Sequence, residues 1–333
     1  MKIQKGTIKM KRENIIRSII FILMLVPLAS INAQVQEISP FIFESQKPVK
    51  LLRTFGKGQF GSINNICISP KKIIYVSDAG DRTVKAFNMR GEFLFSFGQE
   101  SGSELHSIME LGLDKDGNVY VADYDQDLVN VYNSNGKYLF NIKLDAKLQN
   151  KRNDRGASGV AVNSRGDIYI TDSANGRIEV RDNNREYKFQ IDKFKDKYGK
   201  LDLVSPTHPR INSRDELYVI DPMICRVHHF SAEGNYLDSF GYMGNDSPGG
   251  FLAPSGLAID KYDRVFVIDL KVNAVQVFDR EGKFLYVLSN EKGDRLETTL
   301  PTGLAADNEN LIYIGCNDGG WVVRVFKYTA GWE

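Results

Sequence analysis

In a chain of 333 residues, the groups suited to metal or nucleophile chemistry are few. There are four histidines (His106, His208, His228 and His229) and three cysteines (Cys67, Cys225 and Cys316). No Ser/His/Asp or Cys/His arrangement is legible, and no Cys-x-x-Cys-His haem site occurs. The odd, irregularly spaced cysteines read as small buried residues rather than a disulfide framework. His228 and His229 are neighbours on an apolar strand and project to opposite sides, which does not suit a shared zinc ion. Asp123-Tyr124-Asp125-Gln126-Asp127 places carboxylates at alternate positions, like the opening of a calcium loop. Leu128 stands where such a loop needs glycine, and no bidentate glutamate follows. Calcium on Asp123, Asp125 and Asp127, or zinc, are therefore the cofactors to test. Gly56-Lys57-Gly58-Gln59-Phe60-Gly61 matches a dinucleotide-binding spacing, but a strand follows it rather than a helix, so its glycines are read as turn residues.

The elements that must position these groups repeat. Ile74–Asp78, Val119–Asp123, Ile168–Asp172, Leu217–Asp221, Val265–Asp269 and Ile312–Cys316 are six apolar pentapeptides with an aromatic second residue, and five end in Asp. Their last positions lie 45, 49, 49, 48 and 47 residues apart. Each is preceded by a short apolar strand such as Gly256-Leu257-Ala258-Ile259 and, in the first five units, followed by two more, joined by turns such as Asn135-Gly136 and Glu281-Gly282. Alternation and turn chemistry predict four strands per unit. Five identical Asp positions around a repeat are expected to cap the loops that follow them, not to gather on one metal.

The ends of the chain complete this pattern. The sixth unit stops after its third strand, Val322–Phe326. A matching fourth-strand segment, Leu51-Leu52-Arg53-Thr54-Phe55-Gly56, appears near the N-terminus, so an N-terminal strand is expected to close the last unit. That predicts an all-β chain: a six-bladed β-propeller over residues 49–333, preceded by a lead-in at 34–48. Residues 1–33 read as a signal peptide: a basic region through Arg17, a short apolar run at Ser18–Ala29, and a small-residue cleavage site ending at Ala33. The expected location is periplasmic or secreted, with no transmembrane span in the mature chain; a retained N-terminal anchor is the alternative. Removing residues 1–33 takes six of 43 basic residues and one of 42 acidic ones, leaving a formal charge of −4. Such a balance lacks the basic footprint that nucleic acid requires.

The units Gly159–Asp182 and Gly256–Asp279 resemble the NHL repeat, with its Gly-Val-Ala-Val-Asp, Ile-Tyr-Val-Ala-Asp and Arg-Ile-x-Val-Phe strands, and the chain is similar to exported bacterial-type members of that family. The resemblance implies that the first strand of each blade lines a central channel. Aligned first strands then place Asn65, Glu110, Gly159, His208, Gly256 and Gly303 in a top ring. Cys67, Gly112, Ala161, Arg210, Ala258 and Ala305 form a middle ring. Ser69, Asp114, Asn163, Asn212, Asp260 and Asp307 form a third. Arg210 is the anomaly among small residues, and either Glu110 or an anionic ligand should neutralise it. Asn65, Glu110, His208 and Arg210 are thus the ligand-site candidates. NHL-like propellers include binding scaffolds and enzymes. The three-histidine zinc set of the amidating lyases is missing, because only His208 aligns with the channel. A lactonase-like metal site around Glu110 and Asn65 is the enzymatic alternative to a scaffold that binds a protein, peptide or glycan.

Overall fold

A computed structural model describes residues 45–145, 156–196, 199–245 and 247–328. The signal segment expected at 1–33 lies outside these residues. Among them every regular element is a strand, and no helix is long and apolar enough to cross a membrane.

Strand β1 (Gln46–Phe55) opens the described chain. A four-stranded sheet follows, in order β2 (Ile63–Ile68), β3 (Ile73–Asp78), β4 (Thr83–Asn88) and β5 (Phe93–Phe97). The same antiparallel meander recurs in β6 (Ile108–Leu113), β7 (Val119–Asp123), β8 (Leu128–Tyr132) and β9 (Tyr138–Lys143), and again in β10 (Ala157–Val162), β11 (Ile168–Asp172), β12 (Arg177–Arg181) and β13 (Tyr187–Ile191). A hairpin, β14 (Lys193–Asp196) with β15 (Gly199–Asp202), precedes the next sheet of β16 (Thr207–Ile211), β17 (Leu217–Asp221), β18 (Arg226–Phe230) and β19 (Tyr236–Phe240). After the short pair β20 (Tyr242–Met243) and β21 (Gly250–Phe251) come β22 (Pro254–Ile259), β23 (Val265–Asp269), β24 (Ala274–Phe278), β25 (Phe284–Ser289), β26 (Leu304–Ala306), β27 (Leu311–Asn317) and β28 (Trp321–Tyr328). These last strands and β1 form one eight-stranded sheet, in order β22-β23-β24-β25-β1-β28-β27-β26. The arrangement is β-propeller-like, with blades of four strands.

β1 has two jobs. Its later part, Val49 to Phe55, pairs antiparallel with β28, as the fourth-strand pattern of Leu51–Gly56 anticipates. Its first residues, Gln46 to Pro48, pair parallel with Val287–Ser289 of β25. The strand therefore reaches back into the segment 34–48 expected as a lead-in and covers an edge that would otherwise be open.

The core lies between successive sheets. One cluster joins Tyr75, Val84 and Phe97 to Ile108, Val119 and Tyr132; another joins Phe55, Ile63 and Ile74 to Tyr313 and Val323, so the first sheet packs on the last. The aromatic second residue of the pentapeptide explains its recurrence. Tyr75, Tyr169 and Tyr218 are fully buried, and each hydroxyl donates to a turn carbonyl in the next sheet: Ser134 at 2.7 Å, Ala232 at 2.7 Å and Arg280 at 2.9 Å. Each side chain thus supplies apolar burial, about 2 kcal/mol, while its polar tip remains satisfied across an interface.

Candidate functional site

The recurring aspartates are structural, and they act mainly on the loop before the first strand. Asp78 accepts backbone N–H groups from Gly61 and Ser62 as well as from Gly80 and Asp81. Asp123 accepts those of His106 and Ser107 at 2.7 and 3.0 Å. Asp221 takes Val204 and Ser205, and Asp269 takes Leu252 and Ala253 with Lys271 and Val272. Asp172 pairs with Arg177 at 2.8 Å and accepts from Asn175. Capping of the following loop was expected; the upstream clamp is added to it because Asp78, Asp123, Asp172 and Asp269 each pair in register with the first residue of the first strand, as Ile108 does with Asp123.

The calcium reading of Asp123, Asp125 and Asp127 does not fit this geometry. Both Asp123 oxygens are engaged by backbone amides. Among the described residues no group of three or more His, Cys, Asp or Glu side chains is arranged to hold a metal ion. Members of the third aligned level cap turns. Asp114 accepts the N–H groups of Asp116 and Asn118, Asn163 those of Arg165 and Asp167, and Asp307 those of Glu309 and Leu311.

The residues aligned as the middle ring share one register position. Cys67, Gly112, Ala161, Arg210, Ala258 and Ala305 each pair with the aromatic residue of the adjacent second strand, Tyr75, Tyr120, Tyr169, Tyr218, Phe266 and Tyr313. Five small residues allow close approach at the axis: a Cβ on Gly112 would lie 2.5 Å from the Val160 carbonyl oxygen. The sixth, Arg210, turns its Nη1 to Glu110 Oε1 at 2.5 Å and to its neighbour's carbonyl, Pro209 O, at 2.7 Å. Glu110, only 1% exposed, also accepts from Asn65 Nδ2 at 3.3 Å. Asn65, Glu110 and Arg210 are thus brought together from three first strands, and Glu110 supplies the charge that Arg210 requires.

His208 joins this cluster on an irregular piece of backbone. In β2, β6, β10 and β22 the bulge falls one step after the residue opposite the recurring Asp, as between Ile108 and Glu110. In β16 the register shifts between Thr207 and Arg210, so His208 and Pro209 together oppose one residue. His208 has φ of 53°, a left-handed conformation unusual for a residue with a Cβ. Its burial holds the imidazole below its ordinary pKa, with Glu110 pulling the other way and Arg210 adding to the depression. His208 is therefore neutral at pH 7.

Three polar atoms of the cluster are shielded from solvent and have no hydrogen-bond partner within the protein: Glu110 Oε2, Arg210 Nη2 and His208 Nδ1. The top-ring glycine Gly159 makes room for one of them, since a Cβ there would meet Glu110 Oε2 and Pro209 Cδ, each at 2.5 Å. Cys67 sits beside the group and donates to Leu111 O at 3.1 Å. Burial pushes its thiol up to about 12, against a smaller opposing effect from Arg210, so it is no thiolate nucleophile. His106 lends its backbone N–H to Asp123, and His229 stacks on Tyr218 at 4.1 Å beside Glu216, so neither belongs to the cluster.

Sequence reasoning passed over a second polar series. Lys85, Asn130, Glu179, His228, Gln276 and Arg324 occupy the same register position in the six third strands, opposite Val76, Val121, Ile170, Val219, Val267 and Ile314. Most reach the loop arriving from the preceding sheet. Lys85 bonds to Gln59 O, Glu179 accepts from Asp145 N at 3.0 Å, and Gln276 holds Gly249 N and Gly250 O. One polar residue between two apolar ones, in five of the six third strands, was the available signal, with His228 followed by a second histidine.

The sequence profile of the NHL repeat matches residues 155–180, which hold Gly159 and Asp172. No curated protein matches the sequence. Similar solved structures include a streptogramin B lyase, at 10% identity and a TM-score of 0.57, covering 80% of this chain and 79% of that one. The virginiamycin B lyase of Staphylococcus aureus is 10% identical with a TM-score of 0.59, covering 84% of this chain and 100% of that one. A catalytically inactive variant of that lyase with quinupristin is 13% identical with a TM-score of 0.53, covering 85% and 88%. At such identities the likeness is one of fold.

Proposed function

We propose that the chain is an exported, periplasmic or secreted, six-bladed NHL-type propeller. In this reading it serves as a non-catalytic binding scaffold for a protein, peptide or glycan. Support for six blades comes from reading the eight-stranded sheet as two, split between β25 and β1, beside the four separate four-stranded sheets. The partner docks on the face formed by the Asp-clamped loops, because those loops lead directly into the top-ring residues.

The observation that carries this reading is the Asn65–Glu110–Arg210–His208 cluster. It holds a buried ion pair with donor and acceptor capacity left over, on backbone that departs from the repeat. The fold does not require these side chains, since the other blades meet the same positions with glycine and alanine. A cluster paid for in desolvation and backbone strain is a recognition feature. Affinity capture from the exported fraction with the full chain, against the Glu110→Gln and His208→Asn variants, tests it. A partner held by the parent and lost from both variants supports the reading; capture that is identical in all three removes the cluster from it.

A second reading, metal-assisted lyase or hydrolase chemistry at the same channel mouth, draws on the lyase neighbours and on His208 and Glu110 as proton-transfer groups. Elemental analysis after dialysis separates the two: near-stoichiometric zinc or calcium favours the enzyme.

A further inference from the structure

The three unused atoms of the cluster have a definite hydrogen-bonding count. Glu110 Oε2 is an acceptor. His208 is neutral, and its Nδ1 is the shielded ring nitrogen; with the proton on Nε2, Nδ1 is a second acceptor. Arg210 Nη2 is a donor. In that tautomer two acceptor atoms and one donor atom are left without a protein partner around one ion pair, whose other atoms, Nη1 and Oε1, already close on each other at 2.5 Å.

Charge narrows the choice. The pair is neutral as a unit. A carboxylate entering it would meet Arg210 but lie against Glu110, and it would leave both acceptors unanswered. An ammonium would satisfy the acceptors but lie against Arg210 and leave Nη2 without an acceptor. Both would also lose their own hydration, which is the largest cost for a charged group in a site this enclosed. A hydroxyl supplies one donor where two are wanted. A primary carboxamide supplies two N–H donors and one carbonyl acceptor, carries no charge, and is planar like the guanidinium and carboxylate it would bridge.

We propose that the Glu110–Arg210–His208 cluster is a subsite for a primary carboxamide, as borne by an asparagine or glutamine side chain of a bound peptide. The amide nitrogen donates to Glu110 Oε2 and His208 Nδ1, and the carbonyl accepts from Arg210 Nη2. Gly159 belongs to the same device, because any larger residue there would displace the carboxylate oxygen that the ligand uses. The glycan alternative offers an N-acetyl group, a secondary amide with a single N–H, which leaves one acceptor unmet. This subsite rests on the binding-scaffold reading and names the ligand chemistry within it.

Saturation-transfer NMR on the full chain with propionamide, propionate, propylammonium and N-acetylglucosamine tests the proposal. Propionamide should bind about tenfold more tightly than each of the others, the worth of roughly one matched hydrogen bond. Glu110→Gln and His208→Asn should each weaken it by about fivefold or more. His208→Asn leaves the ion pair intact and so keeps the test valid if Glu110→Gln fails to fold. Equal or tighter binding of propionate, propylammonium or the sugar overturns the proposal, as does amide binding that is unchanged in the variants. So does the absence of amide binding. If a partner is still captured in a cluster-dependent way while propionamide fails, the carboxamide chemistry falls and the scaffold reading stands; if capture also ignores the cluster, both fall.

Discussion

Replacing Arg210 by alanine restores the small residue found at the other five middle-ring positions, yet the structure predicts a loss of stability. The side chain is 16% exposed and its partner Glu110 1% exposed, with the two joined at 2.5 Å. Removing the guanidinium leaves a desolvated carboxylate whose remaining hydrogen-bond donor is Asn65 Nδ2 at 3.3 Å. Breaking a buried pair from one side costs about 3–5 kcal/mol, and the partial exposure of Arg210 places this case near 3 kcal/mol. Exchanging both members, Arg210→Ala with Glu110→Gln, removes the stranded charge, so the double variant should recover about 2 kcal/mol of that loss. Urea unfolding at pH 7, followed by far-ultraviolet circular dichroism on the parent, both single variants and the double variant, gives the four free energies of the cycle. An Arg210→Ala variant within about 0.5 kcal/mol of the parent would refute the reasoning, because the pair would then be contributing no more than an exposed surface contact. Strict additivity in the double variant would refute it equally, by showing that the two groups do not act on each other.

Gly159→Ala should cost about 1–3 kcal/mol by overpacking against Glu110 Oε2 and Pro209, and the loss should shrink when Glu110 is also made alanine; urea midpoints decide it. Asp269→Ala frees the N–H groups of Leu252, Ala253, Lys271 and Val272 and should lower stability by on the order of 3 kcal/mol in the same assay, a value that a neutral result would exclude. Deleting residues 46–55 strips the edges of both β25 and β28, so the truncated chain should lose cooperative thermal unfolding; an unchanged melting curve would show that β1 does not close the structure. The folded-state pKa values of His208 and His229 lie below the usual 6.5, so the unfolded chain binds more protons there. Stability is therefore fully present above pH 6.5 and falls as the pH drops below it, with a shallower slope in His208→Asn. N-terminal sequencing of exported protein should begin near Gln34, and a retained Met1 would overturn the signal-peptide reading.

What the residues determined by themselves was the repeat, and the physical reason is that every blade solves the same burial problem. Four short strands must hide one face each, an aromatic must span the gap to the next sheet, and an aspartate must satisfy the amides of a loop. The same solution therefore recurs at a spacing of 45 to 49 residues, from Asp78 to Cys316. The common register of Cys67, Gly112, Ala161, Arg210, Ala258 and Ala305 was legible for that reason too, since alignment to Tyr75, Tyr120, Tyr169, Tyr218, Phe266 and Tyr313 fixes the level of each first-strand residue. Departures from the repeat were harder to read. Asn65, Glu110, His208 and Arg210 could be named as candidates, but that Glu110 and Arg210 meet depends on side chains 100 positions apart. The bulge at His208–Pro209, the space Gly159 yields to Glu110, and the parallel addition of Gln46–Pro48 to β25 have no periodic signature at all. Each arises where one chain segment meets another that is distant in sequence, and only the closed tertiary structure, by setting those distances, decided which side chains were left with hydrogen bonds to give.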